Sequence, residues 1–447
     1  MTDGAPGRRP DARHDRAILR LAWPALGALV AEPLFLATDT ALVGHLGAVP
    51  LAALGIAAAV LQTAVGLAIF LAYATTPVVG RRFGEGNAAG AVQAGVDGVW
   101  IAIAIGVALV AVGVPGSGPL VGAFGADAAT SAAASEYLAV AVLGIPAMLI
   151  VLAATGLFRG LQDTRTPLWI SAGGFAANAV LNAILIYPAG FGLIGSAIGT
   201  TIAQWGMALA ALWVVARHAR RVGAGLLPAR AGVLASARLG GWLFLRTLSL
   251  RILLLGLTLA SIPHGTMTIA AVQVTTTVLT LLAFALDALA IAGQAMIGAA
   301  LGRGRPDEAR EILRRLLVLA VGGGVVLGAA LAALAVPVAR VFTADPQLLS
   351  LIWPGLIVVA IGIPLGGAVY ALDGVLIGAG DARFLALAGL VNLAATGPAL
   401  IAIAIAPLPA LAAVLLLQVA WSILSMLARA VPLGLRARRG RWLEAAV

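Results

Sequence analysis

Long apolar runs broken by short polar clusters make up nearly the whole chain. They predict helices at about residues 17–43, 51–79, 91–114, 133–158, 166–187, 193–216, 239–262, 267–298, 311–337, 348–375, 384–406 and 409–431. A helix needs roughly 20 apolar residues to cross a bilayer, and each run supplies them. The first sixteen residues are polar, with Arg8, Arg9, Asp11, Arg13, Asp15 and Arg16. The run that follows is too long for a signal-peptide core and no cleavage site follows it, so the first helix is expected to remain in the mature protein.

The spacing of arginines orients these helices, because positive charge gathers in cytoplasmic loops. With the N-terminus inside, 25 of the 28 arginines fall on the cytoplasmic side. They form clusters before helix 1, at Arg81 and Arg82, at Arg159 and Arg165, from Arg217 to Arg238, from Arg303 to Arg315, at Arg383, and from Arg429 onward. Arg340 alone lies outside, and Arg246 with Arg251 falls within helix 7. Both termini are therefore expected in the cytoplasm.

A constant offset of 218 residues relates the two halves of the chain. Gly144-Ile145-Pro146 recurs as Gly362-Ile363-Pro364, and Gly84 and Gly86 recur as Gly302 and Gly304. Phe124, Ala126 and Asp127 return as Phe342, Ala344 and Asp345; Gly156, Gly160, Asp163 and Arg165 return as Gly374, Gly378, Asp381 and Arg383. The fold class expected is an all-α polytopic membrane protein of twelve helices in two six-helix bundles. Six is even, so both copies enter the membrane alike, related by a pseudo-twofold axis along the membrane normal. The expected divisions are residues 1–216, a cytoplasmic linker 217–238, and residues 239–447. Paired bundles of this kind favour an alternating-access transporter.

Composition narrows the chemistry. Of the 447 residues 62% are hydrophobic and 10% charged, which excludes a soluble globule. The net charge of +10 reports topology and not nucleic-acid binding. All basic residues are arginine and cysteine is absent, so disulfides and thiolate metal sites are excluded; the arginine- and alanine-rich usage hints at a GC-rich bacterial genome.

Short motifs separate the candidate families. The loop after helix 2 reads Gly80-Arg-Arg-Phe-Gly-Glu-Gly86 and lacks the signature of major facilitators. Helix 1 carries Glu32-Pro33-Leu-Phe-Leu-Ala-Thr-Asp39-Thr-Ala-Leu-Val-Gly44-His45-Leu46-Gly47. Further on stand Gly156-Leu-Phe-Arg159-Gly160-Leu-Gln-Asp163-Thr-Arg-Thr-Pro167, the run from Asn178 through Asn182 to Gly192, Gly195 and Thr200, and Ala285-Leu-Asp287-Ala-Leu-Ala to Gln294. Taken in order over essentially the whole chain, these motifs resemble the multidrug and toxic compound extrusion (MATE) family, especially its DinF-like branch. The resemblance implies a secondary transporter and a cation site on helix 1 with polar partners on helices 5 and 6.

An ionisable group inside a bilayer costs roughly 2.5–3.5 kcal/mol even on lenient insertion scales, so each is a functional candidate. Asp39 leads. By helix rise, Asp39, Asn178, Asn182 and Thr200 share a band roughly 7–14 Å below the outer surface. Asn178 and Asn182, four apart, project from one helical face. A carboxylate among amide and hydroxyl oxygens suits a proton or a hard cation such as Na+. Some relatives carry a second aspartate where this chain has Asn182, which tilts the balance towards a proton. Pro33 frees the carbonyl of Leu29 and is expected to hinge helix 1 between itself and Asp39. Glu32, almost two turns from Asp39 on nearly the same face, is a candidate proton relay or substrate contact, against an equal case for a structural hydrogen bond.

The second half does not copy this site: the offset sets Leu257 opposite Asp39 and Thr396 opposite Asn178. It carries Asp287, Asp373, Arg246 and Arg251 instead. Arg251 is expected to pair with Asp287 or Asp373, a structural role being favoured over coupling or substrate contact.

Other signals carry less. The four histidines fall at loops or termini without metal-ligand spacing, and Asp307, Glu308 and Glu311 suit a helix N-terminus. Gly322 to Gly324 read as close helix packing, not a phosphate loop. No enzyme signature or nucleotide motif stands out, so an ion gradient is expected to drive transport, with H+ or Na+ as the coupling ion and no cofactor. The expected partners are amphipathic, cationic small molecules and the lipid bilayer, with no nucleic acid. The expected state is a monomer in a bacterial inner membrane. Alternatives are a flippase for lipid-linked precursors, which calls for a basic cavity and usually more helices, and a membrane-embedded enzyme.

Overall fold

The computed structural model describes residues 10–444, the side chains of residues 10–13 and of Glu32 excepted. Among the described residues, twelve helices are long and apolar enough to cross a membrane. They are α1 (His14–Gly44), α2 (Ala48–Gly84), α3 (Ala88–Gly122), α4 (Ala128–Gly160), α5 (Arg165–Ile186), α6 (Gly192–Val222), α7 (Arg230–His264), α8 (Thr266–Gly302), α9 (Pro306–Ala333), α10 (Pro346–Ala379), α11 (Ala382–Ile405) and α12 (Ala410–Arg438). Each coincides with a predicted apolar run. Several continue past it, because arginine and alanine are good helix formers outside the apolar zone as well as in it. α6 runs on to a left-handed glycine, Gly223 at φ 70°, and α7 begins at Arg230, so the non-helical part of the linker is much shorter than 217–238. α9 stops at Ala333, and a separate short helix, Ala335–Phe342, follows it.

The chain divides into two compact units, Gly27–Gly240 and Met1–Leu26 with Gly241–Val447. This division differs from the boundaries read off the sequence at both ends. The opening turns of α1 group with the second half of the chain, and those of α7 with the first.

Inside each unit the repeated motifs perform the same packing task. A Cβ on Gly156 would stand 2.8 Å from the carbonyl oxygen of Ala72, and one on Gly374 would stand 2.4 Å from that of Ala290. Gly160 is seated on the carbonyl of Thr76 and Gly378 on that of Gln294, at 2.9 and 2.5 Å by the same measure. Gly106 faces the Cα of Pro146, and Gly324 that of Pro364, at 2.6 and 2.9 Å. The partners of each pair are themselves 218 apart. Small residues allow membrane helices to approach closely where no water drives them together, so these glycines set the α2–α4, α3–α4, α8–α10 and α9–α10 contacts. Gly322 and Gly323 meet nothing within 4 Å, so close packing rests on Gly324 alone.

The repeated aspartates cap helices. Asp127 accepts hydrogen bonds from the amides of Ala129 and Thr130 at 3.0 Å, and Asp345 accepts one from Gln347 at 2.8 Å. The Thr130 hydroxyl and those amides hold the Asp127 carboxyl below the usual carboxylate range. Asp163 caps α5 through the amides of Arg165 and Thr166, whereas its counterpart Asp381 turns to Arg436, with Nε at 2.6 Å.

Candidate functional site

Three helices of the Gly27–Gly240 unit bring the predicted group together. α1 runs unbroken through Pro33 as a helix, leaving Asp39 close to its end. α5 and α6 pack closely through two glycines of α6. A Cβ on Gly195 would lie 2.6 Å from the Leu185 carbonyl oxygen, and one on Gly199 would lie 2.1 Å from Oδ1 of Asn182. That close approach brings the amides of α5 against the hydroxyls of α6.

The result is a buried polar cluster. Asn182 Nδ2 donates to Asp39 Oδ1 at 2.7 Å, and the Ser196 hydroxyl donates to the same oxygen at 2.8 Å. Asn178 Nδ2 donates to the Thr200 hydroxyl at 2.9 Å, and Asn178 Oδ1 lies 3.3 Å from Asn182 Nδ2. Asp39 is 5% exposed and Asn182 fully buried. Neutral donors hold Asp39, and no cationic side chain is bonded to it among the described residues. Asn182 Oδ1, over Gly199, is a buried acceptor with no donor among them. Burying a carboxylate without a counter-charge is costly, and the usual outcome is neutralisation by a proton or a bound cation. The orphan oxygen of the amide that binds the carboxylate suits either one: it can accept a hydrogen bond or coordinate a hard ion.

The sequence missed two members of the cluster. Ser196 stands four residues before Thr200, the same one-turn spacing that joins Asn178 to Asn182, and that spacing was a usable signal. Tyr137 of α4, buried, adjoins Ser196 and Thr200. Nothing in the apolar run of α4 marked it. Glu32 has its side chain outside the described residues. Two residues beyond Pro33, Phe35 of α1 stacks on Phe175 of α5 with ring centres 5.0 Å apart.

In the other unit the equivalent positions are filled with apolar groups. Leu257, Leu400 and Val414, which stand opposite Asp39, Asn182 and Ser196, are buried in one core. The surviving polar groups pair with one another, Thr396 with Asn392 at 3.0 Å and Gln418 with Thr275 at 2.8 Å.

The charged residues of this unit collect elsewhere. Arg246 Nη2 of α7 lies 2.6 Å from Asp373 Oδ2 of α10, and Arg429 of α12 bonds to the same oxygen. Arg251 does not enter this pairing, contrary to expectation. Arg246 lies five residues earlier on α7, one turn and a half away, and presents a different face to α10. The hydroxyl of Tyr370 is within electrostatic reach of Asp287, Asp373, Arg246 and Arg429. Asp287 is half-buried in this neighbourhood. Arg429, at the edge of the last apolar run, was counted in the sequence as a topology marker and not as a partner for Asp373.

Comparisons with known proteins agree with this architecture. The MatE family model matches residues 24–184 and 247–403. Protein DETOXIFICATION 44, chloroplastic, of Arabidopsis thaliana is 31% identical over 389 residues, covering 83% of this chain and 73% of that protein. DNA damage-inducible protein F of Escherichia coli (strain K12) is 27% identical over 305 residues, covering 67% of this chain and 66% of that protein. The Vibrio cholerae MATE transporter VcmN in its bent form superposes with a TM-score of 0.87 at 20% identity, covering 97% of this chain and 99% of that one, which is a likeness of fold.

Proposed function

The chain belongs to the MatE family of multidrug and toxic compound extrusion transporters, and from that premise we propose that it exports amphipathic organic cations in exchange for H+ or Na+ by alternating access. One observation supports this reading above the rest: among the described residues Asp39 is a buried carboxylate held only by neutral donors, one of which, Asn182, has an amide oxygen without a donor.

The ionised carboxylate accepts hydrogen bonds from Asn182 and Ser196. Protonation turns one of its oxygens into a donor, and a turn of the Asn182 amide, whose Nδ2 now faces the carboxylate, would bring Oδ1 round to accept it. Sodium would instead take oxygens from Asp39, Asn182 and the hydroxyls of Ser196 and Thr200. With a single carboxylate in the cluster, a proton is the favoured ion. Either event changes how α1 is tied to α5 and α6. Pro33, six residues before Asp39, leaves α1 short of one backbone hydrogen bond where such a change can be taken up as a bend. Bending of α1 then releases the exported compound.

The arginine clusters support a bacterial inner-membrane protein with both termini in the cytoplasm. The deciding experiment is efflux from proteoliposomes under separately imposed proton and sodium gradients, comparing the native chain with Asp39→Asn. The neutral side chain keeps the shape of the site but not its titration, so coupled efflux should fall to background while the protein still folds. Full coupled efflux by Asp39→Asn would overturn the reading.

A further inference from the structure

α1 and α7 each pass from one compact unit into the other, at Leu26–Gly27 and at Gly240–Gly241. The two crossings nearly coincide in the repeat, since Gly240 is the counterpart of Ala22, four residues from Leu26. Each helix therefore starts in the unit built mainly from the other repeat. The contacts that hold the two starts are matched as well.

Asp97 lies on α3 and Arg315 on α9, 218 residues apart and each the tenth residue of its helix. Asp97, fully buried, accepts the backbone amide of Ala229 at 2.8 Å, directly before α7. Its neighbours reinforce this contact. Gln93 Nε2 donates to the Leu227 carbonyl, and Trp100 Nε1 to that of Leu226, both at 2.9 Å. A Cβ on Gly232 would come within 1.9 Å of Asp97 Oδ2, so the first turn of α7 is seated directly on this carboxylate. Arg315 grips Asp15 at the start of α1, with Nε donating to Oδ1 at 2.8 Å and Nη2 to Oδ2. His14 Nδ1 lies 3.5 Å from Glu311, one turn earlier on α9.

We propose that Asp97 and Arg315 are matched positioning residues of the transport cycle. Each fastens the opening turns of one repeat's first helix to the third helix of the other repeat, so α1 and α7 must flex at their crossings each time the cycle turns. Glycine stands at both crossings. Gly27 is packed against Leu168, Gly240 against Phe70, and Gly241 meets nothing within 4 Å. A helix fastened at one end and moved at the other concentrates its bending where the backbone is least restrained. The inference rests on the alternating-access reading and adds the parts that convert motion at Asp39 on α1 into motion of the unit holding the start of α1.

The test uses the full chain in proteoliposomes with ethidium as the probe cation. Asp15→Arg and Arg315→Asp, each setting like charges together, should lower the maximal efflux rate by about tenfold or more with the half-saturating concentration unchanged, and should speed hydrogen exchange in residues 14–26. The double reversal should restore both. Gly241→Ala, whose added methyl meets no neighbour, should slow the maximal rate several-fold while the melting temperature holds or rises. A purely structural role predicts the opposite pairing, a lowered melting temperature with rate and stability falling together. Single reversals that transport at the native rate, a double reversal that restores neither readout, or a Gly241→Ala chain as fast as the native one would overturn the proposal. Failure of the alternating-access reading is recognised separately, by coupled efflux that survives Asp39→Asn.

Discussion

Two aspartates inside the membrane illustrate two ways of making a buried charge tolerable. Among the described residues Asp39 has only neutral donors, whereas Asp373 has two guanidiniums on a single oxygen. The first leaves a charge to be neutralised from outside; the second neutralises it permanently. Removing the Ser196 hydroxyl takes away one of two bonds to Asp39, a loss of about 1 kcal/mol. Ser196→Ala should therefore reduce coupled efflux roughly fivefold and shift its pH dependence, read from initial rates at a series of external pH values. Asp373→Ala should act on stability instead. It takes the shared carboxylate away from buried Arg429 and half-buried Arg246, at a cost of about 3–5 kcal/mol, and thermal melting in detergent should show a large drop. Melting that matches the native chain would remove the structural role assigned to the pair. Asp39, Asn178, Asn182 and Thr200 were legible in the sequence because an acid or amide is conspicuous among apolar residues. Tyr137 was not, because a tyrosine fits an apolar helix without comment, and the choice of Arg246 over Arg251 depends on the rotation of α7, which its apolar pattern leaves open.

At the scale of elements, existence and order of the twelve helices followed from hydropathy alone, whereas their ends did not. The apolar run marks where lipid stops, whereas the helix begins and ends at its caps, as α10 begins after Asp345 and α6 ends at Gly223. α6 shows how an element builds a site. Its glycines at 195 and 199 let α5 approach until the Asn182 amide meets both Asp39 and Ser196. Gly199→Ala should push that amide out of line and lower coupled efflux by about tenfold or more, since small misplacements at a binding centre cost large factors. Gly206→Ala on the same helix meets nothing within 4 Å and should transport as the native chain does. Equal activities in these two variants, measured in the same proteoliposome assay, would separate the glycine from the site.

For the whole molecule, the arginine clusters and the 218-residue offset were the informative features, and both are statistical properties of long stretches of chain. The grouping of α1 and α7 with opposite units was illegible, because it depends on which distant helix a segment packs against. Orientation remains testable with little disturbance, since the chain contains no cysteine to confuse labelling. Ala224→Cys, in the loop between α6 and α7, should react with a membrane-impermeant maleimide only from the cytoplasmic face, and Ala189→Cys, between α5 and α6, only from the other. The reverse pattern would invert the topology drawn from the positive-inside rule.

The glycines seated on carbonyls at 156, 160, 374 and 378 carry one more consequence. The two halves carry the same backbone joints, whereas only the first carries the acid. Substitution tolerance should therefore be nearly mirror-symmetric along the backbone seams and lopsided around the Asp39 cluster: a library of variants would find the seams intolerant in both halves, and the leucine at 257 replaceable by other aliphatics where the aspartate at 39 admits nothing else.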